Sequence, residues 1–153
     1  MKQPAFYLPQ ELLQRATVSS NQYAWRIGDI PRVIAAARDA RLISIGGQLQ
    51  FLLPNIGTAE CYWVGVDTYK SVPMSLPWKE RVERTASAAL SDFLQLSSRF
   101  DFLAEGRRGF PEPFKKVELQ NGDPAQFMWF VWSVAQPGWE AYRHSLKSPN
   151  SVR

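Results

Sequence analysis

Residues 43–67 constrain the fold of this chain more than any other stretch, because their apolar residues recur with two different strand-like alternations separated by a turn. In the first half Leu49, Phe51 and Leu53 alternate with Gln48, Gln50 and Leu52, the period of two expected of a strand buried on one face. That pattern sends Leu49, Phe51 and Leu53 to the core and leaves Gln48 and Gln50 on a solvated side. In the second half Cys61, Trp63 and Gly65 alternate with Glu60, Tyr62, Val64 and Val66. Aromatic and β-branched residues occupy both sets, so periodicity alone leaves open which set faces inward. Between the halves Pro54 cannot donate to a ladder, while Asn55 and Gly57 tolerate positive φ, which predicts a turn over residues 54–58.

The flanking segments supply what such a hairpin packs against. Trp78, Val82, Ala86, Ala89, Leu90, Phe93, Leu96 and Phe100 recur at steps of three and four, the signature of an amphipathic helix. Lys79 with Glu83 and Glu80 with Arg84 are spaced for exposed pairs on it. A second helix is predicted from Asp29 as N-cap, with Pro31 in its first turn, Val33, Ile34, Ala37 and Leu42 on one face, and Arg38 and Arg41 complementing the dipole at its end. A short helix is expected near Pro9, with Glu11 and Arg15 at pairing distance, then an extended segment through Tyr23, Trp25 and Ile27. Residues 127–134 are apolar on both faces and rich in aromatic and β-branched types, which suits a strand in the middle of the sheet. Residues 101–122, broken by Gly106, Gly109, Pro111 and Pro113, are expected to form a loop anchored by Phe102, Phe110 and Phe114. A short helix over 139–146 and a frayed end complete the reading. The fold class expected is α+β, a small antiparallel sheet built on a central hairpin with a long amphipathic helix packed on one face. The 153 residues are expected to form one domain, 1–153, with 146–153 a flexible tail.

Bulk properties narrow the function classes. A hydrophobic share of 45%, with six Trp, opposes disorder. No run approaches the roughly 18 apolar residues of a membrane span, and the first residues carry no apolar export core, so a cytoplasmic protein with no membrane contact is expected. The net charge of +4 is spread thinly, with six cations against three anions in residues 1–42 and four against five in residues 101–126. Without a basic cluster, the charge pattern argues against a nucleic-acid partner.

Catalytic and metal chemistry find little purchase. One cysteine, Cys61, sits inside an apolar strand, and the single His144 is near the end of the chain, so neither a metal set nor a nucleophile with its base can be assembled. No cofactor is expected. Gly46 and Gly47 precede a strand rather than a helix and fit a bulge or a close backbone approach better than a phosphate cradle. Two features remain for binding. One is the charged stretch Glu105, Arg107 and Arg108 between Phe102 and Phe110; the other is the polar side of the hairpin, Gln48, Gln50, Glu60 and Tyr62.

The run Gly46-Gly47-Gln48-Leu49-Gln50-Phe51, followed by Glu60-Cys61-Tyr62-Trp63 and then by Phe102-Leu103-Ala104-Glu105-Gly106-Arg107 with Phe110-Pro111, resembles small bacterial immunity proteins. The resemblance covers roughly residues 25–111. It implies a non-enzymatic cytoplasmic inhibitor that binds a cognate toxin protein and occludes its active site, and it leaves the oligomeric state open. The mild basicity favours an acidic or mixed toxin surface. Two rival readings make distinct demands. A nucleic-acid-binding module requires Trp and Tyr exposed together on a sheet face beside a basic groove. An enzyme using Glu60 or Glu105 requires a deep pocket holding a perturbed carboxylate.

Overall fold

A computed structural model describes residues 4–139. These residues form an α+β fold in which one five-stranded antiparallel sheet carries its helices on one face. In chain order the elements are α1 (Gln10–Arg15), β1 (Thr17–Ser19), β2 (Gln22–Trp25), α2 (Ile30–Asp39), β3 (Ile43–Leu53), β4 (Gly57–Asp67), α3 (Trp78–Arg99), α4 (Phe102–Gly109), α5 (Pro111–Leu119) and β5 (Met128–Ala135). The strand order is β1-β2-β5-β3-β4. The doubly apolar segment is thus the central strand β5, and the hairpin β3–β4 lies to one side with β4 at the edge. Asn55 (φ 62°) and Gly57 (φ 137°) turn that hairpin, as their tolerance of positive φ predicts. The expected helix over 139–146, the tail and His144 fall outside the described residues apart from Trp139.

Residues paired across strands share a face. Leu49 pairs with Cys61 on one side and Phe130 on the other, and this face is the core. The long helix α3 reaches it through Phe93, edge-on to Phe130 at 5.2 Å, while α5 reaches it through Phe114, edge-on to Phe51 at 4.8 Å. Trp25, paired with Phe130, donates its indole N–H to the Leu12 carbonyl at 2.7 Å and so fixes α1 to the same layer. Along α3 the apolar stripe is buried at Val82, Ala86, Ala89, Phe93 and Leu96, half-buried at Trp78, and exposed at Leu90, which lies on the flank of the stripe.

Three expectations change in three dimensions. Residues 101–122 are two helices, not a loop. Asp101 caps α4 by accepting from the Ala104 N–H at 3.0 Å, and Pro111 opens α5 at a position where its missing N–H removes no helical bond. The glycines inside α4 answer to packing: a Cβ on Gly106 would stand 2.3 Å from Phe51 Cε2, and one on Gly109 2.4 Å from Trp63 Cη2. Second, Glu11 and Arg15 do not pair with each other. Arg15 grips Asp29 through two bonds of 2.9 and 3.0 Å, and Arg32 joins Glu11, so the charges tie α1 to α2 instead of bracing α1 internally. Asp29 is thereby buried beside α2 without capping it through its side chain. Third, Ile27 opens a 3-10 turn instead of extending β2, and Arg41 lies beyond α2 with φ 60°, in the left-handed position that ends the helix.

The edge strand holds the least regular feature of the sheet. Gln48 pairs with Gly65, yet its neighbour Leu49 pairs with Cys61, so Tyr62, Trp63 and Val64 bulge out of the ladder. The bulge resolves the ambiguity of the second half of the hairpin. Before it the inward residues are Ala59 and Cys61; after it they are Val64 and Val66, so each alternating set is inward in turn.

Candidate functional site

The bulge places three aromatic and charged groups in one cluster with α4. Trp63 donates its indole N–H to Glu105 Oε1 at 3.2 Å, and Arg108 closes on both Glu105 oxygens at 3.0 and 3.1 Å. The guanidinium of Arg108 also stands over the Trp63 ring, 5.5 Å from its centroid. Beneath them Phe110 stacks on Trp63 at 6.3 Å with an 18° tilt, and Gly109 gives the indole the room that any side chain would fill. Tyr62 rests edge-on against Trp63 at 5.3 Å and is 77% exposed. A large amphipathic ring is therefore held out to solvent by a half-buried neighbour that is itself bonded and stacked.

The charges of this cluster are internally matched. The Arg108 hydrogen bond, with a further contribution from the Trp63 N–H, holds the Glu105 carboxyl below its ordinary value of 4.5. Its stabilising contribution is therefore complete above pH 4.5 and is lost as pH falls through the depressed value. Acidification below that ordinary value should consequently loosen Trp63 in the wild type. Glu105→Gln should remove this component of the acid dependence; a wild-type and variant pair with superimposable acid profiles of Trp fluorescence and stability would refute the linkage. Cys61 lies on the same side, and burial, reinforced by Glu105, pushes its thiol up to about 11, so it stays protonated at neutral pH.

The sequence-derived binding residues separate into two groups. Tyr62, Glu105 and Arg108 meet in the cluster, and Arg107 stands beside it, ion-paired with Glu118 of α5. Glu60 is exposed on the other side of the sheet, while Gln48 is half-buried and lines a groove together with Tyr62 and Trp63. Gln50 is a correction: it is only 2% exposed and cannot meet a partner. It sits in register between Glu60 and Trp129, a bulky ring pinned by Arg26 at 3.8 Å from its centroid, so its amide is enclosed by larger neighbours. Its Nε2 has no hydrogen-bond partner among the described residues, which costs about 1–3 kcal/mol.

The structure separates the two carboxylates of one rival reading and buries part of the aromatic set of the other. Glu60 points away from the face that Cys61 and Glu105 share, so the two carboxylates lie on opposite sides of the sheet. Trp25 and Trp132 are buried and Trp129 lies beneath Arg26, leaving Tyr62, against the half-buried Trp63, and Tyr69 as the exposed rings that line one groove. Among the described residues no three His, Cys, Asp or Glu side chains gather as metal ligands, and no helix is long and apolar enough to cross a membrane.

Next to the cluster runs a groove of about 860 Å³. Tyr62 and Trp63 form one wall; Asp92, Gln95 and Arg99 of α3 form another; Tyr69 and Lys70, in the 3-10 turn after β4, close an end. Gly46, Gly47 and Gly65 leave its floor as bare backbone. Sequence reading found the glycine pair but not the groove. Asp92, Gln95 and Arg99 are spaced to share a helix face, yet only the fold turns that face toward the hairpin. Comparison with family models, curated proteins and solved structures finds no match to this chain.

Proposed function

We propose that the chain is a binding protein of the immunity type, which inhibits a cognate bacterial toxin by forming a tight complex that occludes its active site. The observation that carries this reading is Tyr62, held 77% exposed on the rigid Trp63–Glu105–Arg108 platform at an irregular sheet edge. Tyr, Trp and Arg are the side chains that dominate protein–protein hot spots, because each offers a large contact area with a polar end and loses little conformational freedom when already pinned. The resemblance of residues 25–111 to immunity proteins supplies the class of partner. The mild positive charge favours an acidic or mixed toxin surface, with Arg108 in the platform and Arg107 beside it each already paired with a carboxylate.

Co-expression with the product of the adjacent gene should yield a stoichiometric complex and restore growth to cells carrying that toxin. Tyr62→Ala should weaken the complex by about 2–4 kcal/mol while leaving the thermal midpoint nearly unchanged. Absence of both complex and protection would overturn the proposal, and full affinity in Tyr62→Ala would move the interface elsewhere.

A further inference from the structure

We infer that the groove beside Tyr62 receives an extended acidic segment of the partner protein, an inference that rests on the protein-binding role and adds where the partner enters. The groove has the volume of a ligand site, about 860 Å³, and it lies against the exposed face of Tyr62. Its lining carries two cations, Lys70 and Arg99. Both are exposed, and among the described residues neither takes part in an ion pair, unlike Arg15, Arg32, Arg84, Arg107 and Arg108. Arg99 is steadied at its post by the Phe100 ring, 5.3 Å from its guanidinium carbon.

The acceptors in the same groove decide the rest of the ligand. Asp67 accepts from the Tyr69 N–H at 3.0 Å and is exposed at the end of β4, while Asp92 is half-buried in the α3 wall next to Gln95 on the following turn. An arriving chain thus meets Lys70 at one end and, along the α3 wall, Arg99 together with the acceptors Asp92 and Gln95. An extended peptide supplies both complements, an acidic side chain for Lys70 and Arg99 and backbone N–H donors for Asp92 and Gln95. The glycine floor admits its backbone closely, with Tyr62 and Tyr69 on either side.

Titration of the isotope-labelled full chain with an acetylated Glu-Gly repeat peptide tests this without the toxin. The amide signals of Gly46, Gly47 and Gly65 should shift while those of Gly28 and Gly122 stay fixed, and Lys70→Glu with Arg99→Glu should abolish the shifts. Should Arg99→Glu unsettle the end of α3, Lys70→Gln with Arg99→Gln gives the same reading with a smaller loss. No shift at about millimolar peptide, equal shifts from a Lys-Gly repeat, or shifts from single-stranded DNA alone would each overturn the inference. With the partner in hand, the double Glu variant should bind about tenfold more weakly. Equal binding by wild type and variant would remove the groove and keep the protein-binding role. Peptide shifts without any partner complex would keep the groove and remove that role.

Discussion

Gly47→Ala is expected to cost about 4 kcal/mol or more, enough to bring an ordinary domain close to unfolding. A Cβ at this position would lie 1.6 Å from the Val131 carbonyl oxygen and 2.6 Å from its carbon. Both are backbone atoms of the central strand, so no rotamer change relieves the overlap; β3 and β5 must move apart. The adjoining Gly46 is equally intolerant of substitution, since a Cβ there would stand 2.0 Å from the Val66 carbonyl oxygen and its φ of 133° is strained for other residues. Gly28→Ala is the matched control, with open space around its added methyl and an expected change within roughly 0.5 kcal/mol. Urea midpoints at constant slope read both. A wild-type midpoint for Gly47→Ala would show that the two strands are not held at this separation in solution.

Phe114→Ala should cost about 3–5 kcal/mol. The ring is fully buried against Phe51, and Gly106 of α4 lies so close that an added Cβ would be 2.6 Å from Phe114 Cζ. Those three residues join α4, α5 and the sheet at one point. They are therefore coupled: Gly106→Ala, destabilising by about 1–3 kcal/mol in the wild type through overpacking, should become neutral or favourable once Phe114 is alanine. In that background Phe51 can turn into the vacated space, and the better helix former gains about 1 kcal/mol over glycine. Additive effects in a double-mutant cycle would contradict this joint. Loss of the joint should also release Trp63, observed as a rise in its solvent quenching, since α4 supplies Glu105 and Gly109 beneath it.

The same contacts explain what could be read in the sequence. Leu49, Phe51 and Leu53 announce their strand because one face is buried throughout, and α3 announces itself because its stripe meets the sheet over many turns. Helices α4 and α5 do not, since Gly106, Gly109, Pro111 and Pro113 resemble breakers to any local reading. Their tolerance depends on Phe51, Phe114 and Trp63, residues that only the fold brings near. Part of the site was legible for the opposite reason. Glu105 and Arg108 lie three residues apart, so their pairing is local once a helix forms, whereas Gln50 depends on Trp129 of β5 and on Arg26 just beyond β2. The bulge at residues 62–64 has no local signal beyond an unusually mixed alternation.

That bulge has one more effect, on how copies of the chain behave when crowded. A sheet with a long, flat outer strand invites a second sheet to zip onto its unpaired N–H and C=O groups, the first step toward fibrous aggregation. Here β1 at one border is only Thr17–Ser19, and β4 at the other keeps a regular border only from Gly57 to Cys61 before its ladder breaks. Both borders are too short or too crooked to template another strand along their length. An irregularity that displays one tyrosine thus also discourages the protein from polymerising through its own sheet.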